Sequence, residues 1–267
     1  MLRNVFVKGL RDLRRSFLFW ALGTAILPIW LGLMYPSVKK SAGVMEDYLE
    51  NMPEAFTNMF VGEGGDFTSP MGFIDAELFS FMGPIILIVF GIALAVRQIA
   101  GEEEGGTLGL LLSYPLSRAL VFVEKLAVTV VGVAGISFVA FVALVLGVRM
   151  GGADLGVGTM AAAMTSLFLL TLAVAAIAFA VGAATGNRGA AMGVATVVAA
   201  GSYLLNALAP LVESLEPLQK ASLFYYYGGV QPLREGLRAG NVAVLLGVTL
   251  IAVAVSYALF ARRDVRG

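Results

Sequence analysis

The chain has 267 residues, of which 59% are hydrophobic and 13% charged, and its formal net charge is zero. Soluble domains average roughly 45–50% apolar and about 25% charged residues, so this composition excludes an ordinary soluble protein and indicates several membrane spans. Because the sequence contains no cysteine and no histidine, it excludes disulfides, thiolate chemistry, a Ser–His catalytic pair and a histidine proton relay.

The N-terminal segment, residues 1–16, has one apolar and one basic side when it is drawn as a helix. The basic side carries Arg3, Lys8, Arg11, Arg14 and Arg15. Such a helix lies in the membrane interface with its basic side toward anionic lipid headgroups. We therefore predict an N-terminal amphipathic interfacial helix that contacts membrane lipids. The alternative is that these basic residues only anchor the first span at the inner side of the membrane. The apolar run of that span is full length, which indicates a signal-anchor helix rather than a cleaved signal.

Six uncharged apolar runs follow, each close to the roughly 20 residues that a membrane-spanning helix needs. They cover residues 17–35, 79–96, 126–148, 160–185, 189–209 and 242–261. A charged residue at the centre of a span would cost about 2.5–3.5 kcal/mol, so the absence of charge favours six real spans. The predicted fold class is an all-α membrane protein with six transmembrane helices in a single domain over residues 1–267. If the short turn at 186–188 failed, five spans would remain.

The distribution of Lys and Arg predicts the orientation of these spans. With both termini in the cytoplasm, the inner segments carry twice as many Lys and Arg residues as the outer segments, as the positive-inside rule requires. The outer loop 36–78 is acidic, and a surface helix is predicted from about Val44 onward. The outer region 210–241 is predicted to form re-entrant half-helices before the last span. Its four consecutive aromatic residues, 224–227, fit equally well an aromatic belt at the membrane interface.

The segment 97–125, between the second and third spans, is charged and broken by glycine. The glycines at 105–106 are expected to end one helix, Thr107 to cap the next, and Pro115 to stop it. The apolar face of this short helix would consist of Leu108, Leu111 and Leu112. Such a helix can dock into a groove on a soluble partner. The alternative, a helix resting on lipid headgroups, is disfavoured by the three glutamates before it, because the inner leaflet is itself negative.

Motifs for covalent chemistry are missing from the sequence. It has neither the Gly-x-x-x-x-Gly-Lys-Ser/Thr phosphate cradle nor the Gly-x-Ser-x-Gly nucleophile elbow. We therefore expect no catalytic residue, no metal site and no cofactor in this chain. The six runs also lack the ionisable residue that ion-driven carriers usually place in the membrane, although their hydroxyl and amide groups could still coordinate sodium.

The segment 97–125 resembles that of a known family. The residues that carry the resemblance are Glu102, Glu103, Glu104, Gly106, Thr107, Leu108, Leu111, Leu112, Pro115, Arg118 and Lys125. With the six spans, this order is similar to the permeases of ATP-binding-cassette type-2 exporters. The resemblance implies that the segment forms a cytoplasmic coupling helix and that the residues of this set from Glu102 to Arg118 contact a separate ABC ATPase. Many members carry a charged residue where this chain has Gly109.

The resemblance also implies partners and a location. It implies the plasma membrane of a prokaryote, two copies of an ATPase subunit that bind ATP and Mg²⁺, and a second permease copy that forms a homodimer or a pair. No nucleic acid is expected among the partners. If the first, second and fifth spans line the interface between permease copies, the substrate path would include Trp20, Trp30, Met34, Phe81, Met82, Tyr203 and Asn206.

The function implied by the resemblance is that of the membrane-spanning permease subunit of an ATP-driven exporter. Two alternatives remain open on the residues alone. One is a membrane scaffold or sensor that anchors a soluble ATPase without transporting anything, and the other is an autonomous ion-coupled carrier. The motif does not distinguish between the antibiotics, lipids or sodium that members of the family export.

Overall fold

The protein is described here by a computed structural model that covers residues 5–41, 69–212, 216–229 and 231–263. In chain order its helices are α1 (Val5–Lys40), α2 (Pro70–Gln98), α3 (Ala100–Glu104), α4 (Thr107–Leu112), α5 (Arg118–Met150), α6 (Val157–Thr185), α7 (Arg188–Leu211), α8 (Leu223–Tyr227), α9 (Gln231–Glu235) and α10 (Ala239–Arg262). A 3₁₀ helix also spans Glu216–Ala221. These ranges contain no β-strand, so the predicted all-α fold class is confirmed.

Six of these helices are long and apolar enough to cross a membrane, within the part of the chain that the structure describes. They are α1, α2, α5, α6, α7 and α10, and each contains one of the six predicted apolar runs. The turn between α6 and α7 forms at the predicted place, because Gly186 adopts a left-handed φ of 66° and the Asn187 side chain accepts a hydrogen bond from Ala190 N–H at 2.7 Å. The structure therefore confirms six candidate spans rather than five among the described residues.

The first helix is longer than predicted. Helix α1 runs unbroken for 36 residues through Pro28 and Pro36, which at 1.5 Å per residue is about 54 Å. A bilayer core is only about 30 Å thick, so α1 extends well beyond the length that a span requires. The separate helix predicted over residues 1–16 is therefore corrected: residues 5–16 continue directly into the first span, because no residue between them and the apolar run interrupts the helix.

Helices α1 and α5 lie side by side and run parallel, in contact through glycines. A Cβ atom placed at Gly9 would lie 2.7 Å from Val128 Cγ2, and one placed at Gly147 would lie 2.8 Å from Ile29 Cα. The N-terminal parts of the two helices therefore contact each other, and so do their C-terminal parts. At Gly32 a Cβ atom would overlap the Gly147 backbone, so the two main chains touch there. Small residues are the usual means by which membrane helices approach this closely.

This contact makes a prediction for Gly32. We expect Gly32→Ala to lower the free energy of unfolding by about 1–3 kcal/mol, because the added methyl group forces apart two backbones that cannot shift cheaply. Gly23→Ala on the same helix is the matched control, since nothing lies within 4 Å of its Cβ position. Unfolding of the purified variants in mixed micelles measures both values. Equal stabilities of the two variants would contradict the close contact.

Helix α6 lies at the centre of the bundle and packs against α2, α5, α7 and α10. Most of its apolar stretch is buried, whereas most residues in the apolar stretches of α1, α7 and α10 are exposed or half-buried. Its buried small residues are Ala163, Ala173, Ala175, Ala176, Ala178, Gly182 and Ala183. Because small side chains let several helices approach one axis, the alanine-rich sequence of α6 suits this central position.

The second helix begins earlier than the apolar run that predicted it. Helix α2 starts at Pro70 and passes through a π-helical stretch over Asp75–Met82, so the outer loop predicted over 36–78 ends before residue 70. The sequence placed Asp75 in a solvated acidic loop, but the structure buries its side chain, with the Ser80 hydroxyl donating to Asp75 Oδ2 at 3.3 Å. The surface helix predicted near Val44 lies outside the described residues.

Two short helices, α8 and α9, occupy the region where the sequence predicted half-helices. The side chain of Tyr227 is buried, and its hydroxyl donates to the Phe79 carbonyl at 2.8 Å. The Ser166 hydroxyl donates to the Tyr227 carbonyl at 2.7 Å, and the Ser222 hydroxyl donates to the Ser202 carbonyl at 2.6 Å. Helix α8 is thus bound to α2, α6 and α7 at one end of the bundle. Its re-entry into the membrane stays a prediction.

Candidate docking segment between α2 and α5

The connection between α2 and α5 forms two short helices separated by a glycine turn. Helix α3 ends at Glu104, and Gly106 has a φ of 68° immediately before α4. Only glycine adopts this left-handed conformation without strain, so the predicted break at 105–106 is confirmed. Thr107 is not the cap that the sequence predicted. It is the first residue of α4, and its hydroxyl donates to the Glu102 carbonyl at 3.1 Å.

The C-terminal part of the segment leads directly into the third span. Helix α4 ends at Leu112, before Pro115 is reached, and the Ser113 hydroxyl donates to the Leu110 carbonyl at 2.8 Å. The Ser117 hydroxyl then accepts a hydrogen bond from Leu120 N–H at 3.1 Å and caps α5. Arg118 is therefore the first residue of the third membrane-spanning helix.

The apolar face of α4 points into the protein itself. Leu108 is fully buried, Leu111 is 5% exposed and Leu112 is half-buried. The exposed apolar side chains are instead Leu110, at 68%, and Tyr114, at 50%. Leu108 and Leu111, which sequence reasoning assigned to a partner, are therefore unavailable to one in this conformation. Six of the exposed residues of the segment are called the exposed tip: Gly105, Gly106, Thr107, Leu110, Tyr114 and Pro115.

The first of the three glutamates is bound within the chain. Glu102 forms an ion pair with Lys125 of α5, and its Oε1 lies 3.8 Å from Lys8 Nζ of α1. The Lys125 side chain is only 2% exposed, whereas that of Lys8 is 36% exposed. A charge held this far from water needs a partner, so Glu102 and Lys125 stabilise each other.

The second glutamate binds the end of the last helix. Glu103 Oε1 accepts a hydrogen bond from Arg263 Nη1 at 2.9 Å, and Arg263 Nη2 contacts Glu103 Oε2, which makes the ion pair bidentate. The Glu103 side chain is 3% exposed. Gly186 lies directly over the pair, because a Cβ atom there would be 2.6 Å from both the carboxyl carbon of Glu103 and Arg263 Nη1.

The third glutamate is exposed and lies at the start of α7. Glu104 Oε1 accepts a hydrogen bond from Arg188 N–H at 2.8 Å. In the same way, Glu124 Oε2 accepts from Phe6 N–H at 2.8 Å at the start of α1. Carboxylates are favourable at helix N-termini, where backbone N–H groups have no partner within the helix. All three glutamates that sequence reasoning assigned to a partner are therefore bound within this chain, and Glu103 is too buried to reach one.

We call these charged groups the ion-pair hub: Lys8, Glu102, Glu103, Lys125 and Arg263. The hub joins the start of α1, the start of α5, helix α3 and the residue that follows α10. Successive candidate spans alternate in direction: one begins at the end of the bundle where the hub lies, and the next one ends there. The first residues of α1 and the last residues of α10 therefore lie at the same end of the bundle.

Sequence reasoning missed the partners of the glutamates, because it assigned Lys8 to a basic helix side facing lipid headgroups and counted Arg263 only as evidence for orientation. The available signal was the run of three adjacent glutamates between two spans, because carboxylates that are buried there need basic partners. That signal indicates that basic partners exist, but it does not say which of the distant residues they are.

The residues predicted to line a substrate path are spread over three helices. Trp20 packs on Phe90, with ring centroids 5.6 Å apart, and Tyr203 packs on Phe224 at 5.3 Å. The Asn206 side chain accepts a hydrogen bond from Gln219 Nε2 at 3.4 Å. The remaining four are exposed or half-buried on the outside of the chain: Trp30, Met34, Phe81 and Met82. Trp20, Tyr203 and Asn206 therefore make contacts within the single chain. A substrate path between two permease copies stays a prediction.

Comparison with known proteins identifies the family. No curated protein matches the chain. The family model described as "ABC-2 family transporter protein" matches residues 3–265, which is nearly the whole chain. This match agrees with the six candidate spans and with the segment that resembles the coupling helix of such permeases. The chain belongs to the ABC-2 transporter family and is a membrane-spanning permease of an ATP-binding-cassette transporter.

Proposed function

We propose that this chain is the permease subunit of an ATP-driven exporter and that a separate ABC ATPase docks on the exposed tip. The observation that carries the docking site is the exposure of Leu110 and Tyr114 on the short connection between two spans. Large apolar side chains that project from such a connection are typical of a helix that inserts into a groove on a partner. Family membership supports an ATPase as that partner.

The proposed orientation places the tip and the ion-pair hub in the cytoplasm of a prokaryote, at its plasma membrane. The excess of Lys and Arg at this end supports it under the positive-inside rule. In this arrangement two ATPase copies bind ATP and Mg²⁺ and serve two permease copies, as a homodimer. The large exposed surfaces of α7 and α10 leave room for a second copy and for lipid.

The proposed mechanism is mechanical. Closure of the ATPase dimer displaces the exposed tip, and the displacement reaches the bundle because Leu108 and Leu111 attach α4 to the core. Helices α2 and α5 flank the segment and move with it. No side chain of this chain takes part in covalent chemistry, so the free energy comes from ATP bound by the partner.

The substrate of the proposed exporter is an amphiphilic or lipid-like molecule. The proposed path residues are mostly aromatic or apolar, with the Asn206 amide and the Tyr203 hydroxyl among them: Trp20, Trp30, Met34, Phe81, Met82, Tyr203 and Asn206. A predominantly apolar lining with few polar groups is the usual composition of a binding site for such a ligand.

A photo-crosslinking amino acid at Tyr114 tests the docking site. We expect it to crosslink to the ABC ATPase subunit from the same genome when the two are co-expressed, because the Tyr114 side chain lies on the exposed tip. The same crosslinker at Leu218, which is exposed at the other end of the bundle, is the control and should give no ATPase adduct. An adduct from Leu218 but none from Tyr114 would place the ATPase elsewhere. If Tyr114 gives the adduct but the complex transports nothing when ATP is added, the scaffold alternative is favoured.

A further inference from the structure

We infer that the ion pair between Glu103 and Arg263 carries the movement of the docking segment to α10 and, through α10, to α8 and α9 at the opposite end of the bundle. The inference rests on the proposed function. It makes Arg263 and Glu103 positioning residues, which act through the helix they hold and contact neither substrate nor nucleotide.

The ion pair can transmit a displacement because its geometry is fixed. The two terminal guanidinium nitrogens of Arg263 contact the two carboxylate oxygens of Glu103, and a bidentate pair of this kind fixes orientation as well as distance. The α6–α7 turn closes over the pair at Gly186. Water therefore has little access to the carboxylate, and low exposure strengthens the attraction between the charges.

The inner end of α10 is held by further contacts beside the ion pair. Arg118 Nη1 of α5 donates to the Arg263 carbonyl at 2.5 Å. The Phe122 ring of α5 packs on Phe260 and Tyr257 of α10, with ring centroids 5.8 Å and 5.3 Å apart. A movement of α3 or of the start of α5 is thus imposed on the last turns of α10.

The outer end of α10 contacts the short helices. Asn241 and Val242, in the first turn of α10, line a small recess together with Tyr227 of α8 and Gln231 of α9. With 24 residues, α10 is about 36 Å long, so it reaches from the hub to this recess. Because Tyr227 also binds the π-helical stretch of α2 through the Phe79 carbonyl, a shift of α10 changes the packing at the outer end of two spans.

The connection is direct because α3 and α10 are linked by side chains and not by a neighbouring stretch of backbone. Glu103 and Arg263 are 160 positions apart in the sequence. If the ion pair only stabilised the fold, neutralising it would lower stability and leave the response to nucleotide intact. If it transmits movement, neutralising it removes the response at the outer end even when the protein remains folded and bound to the ATPase.

The test uses a single cysteine in a chain that otherwise has none. Leu237→Cys lies just before α10 and is exposed, so a membrane-impermeant maleimide can report on the outer end. The complex with the ATPase is reconstituted in lipid nanodiscs, and the labelling rate is measured without nucleotide and after trapping with ATP and vanadate. We expect trapping to change the rate in the otherwise unaltered chain. We expect Arg263→Gln to abolish this change without loss of ATPase binding, and the double exchange E103R with R263E to restore it.

The matched control is Arg262→Gln, at the exposed neighbouring position, which should keep the full response to trapping. A response that persists in Arg263→Gln, or that the double exchange fails to restore in a folded and ATPase-bound complex, would overturn the inference and leave the proposed function standing. If Arg263→Gln fails to fold, Glu103→Gln, which neutralises the other partner of the same ion pair, is measured in its place with the same two outcomes. Absence of ATPase binding by the unaltered chain would overturn both proposals.

Discussion

Lys125→Ala is expected to lower the free energy of unfolding by about 3–5 kcal/mol, the usual cost of removing one partner of a buried ion pair. The Lys125 side chain is 2% exposed and pairs with Glu102, whose Oε2 has no hydrogen-bond partner among the described residues. Without Lys125, the largely buried carboxylate of Glu102 would keep only the more exposed Lys8, whose Nζ lies 3.8 Å from Glu102 Oε1. Denaturant unfolding of the purified chain in mixed micelles measures the loss.

Lys8→Ala is the matched control, because Lys8 approaches the same carboxylate from a more exposed position. Its Nζ lies 3.8 Å from Glu102 Oε1 and its side chain is 36% exposed, so the expected loss is below about 1 kcal/mol. The comparison isolates burial, since both lysines interact with one glutamate. Losses of equal size in the two variants would show that the hub is a solvated charge cluster.

Leu111→Asp should also be strongly destabilising, by more than about 3 kcal/mol. It removes a leucine that is 5% exposed, which by truncation alone costs about 2–5 kcal/mol, and it places a carboxylate in the hydrophobic core cluster, where burying a charge is costly. The adjacent Leu110→Asp is the control. Because Leu110 is 68% exposed, its stability should change by no more than about 0.5 kcal/mol. Thermal unfolding in detergent separates the two variants, and similar midpoints would contradict the observed orientation of α4.

The span pattern could be predicted from sequence because the membrane imposes it locally. Each span needs an uncharged apolar run of sufficient length, and each run lies within the sequence of its own helix. The turn at Gly186 was predictable for the same reason, since a glycine followed by the capping residue Asn187 ends one helix and begins another within three positions. The bounds of α1 and α2 were less accurate, because polar residues such as Asp75 continue a helix where the protein covers them.

The glycine break between α3 and α4 was predicted at the correct residues, but the face of α4 that is buried was not. Helix α4 has only six residues and four of them are leucine, so periodicity cannot show which side meets the core. The structure turns Leu108 and Leu111 inward and leaves Leu110 outside. The partners of the glutamates depend on contacts over long sequence separations, up to the 160 positions between Glu103 and Arg263. Such contacts follow from helix packing and leave no local pattern.

Reconstitution of the chain with and without the ABC ATPase, with transport and ATPase binding as readouts, tests most directly whether the energy comes from outside this chain. The chain alone should hydrolyse no ATP and drive no transport, while the ABC ATPase should bind it and hydrolyse ATP. Burial of one exposed leucine contributes about 1.5–3 kcal/mol, so Leu110→Asp should weaken ATPase binding about tenfold or more, and Leu218→Asp at the other end should not. Transport by the purified chain without a partner, or unchanged ATPase binding by Leu110→Asp, would contradict the account.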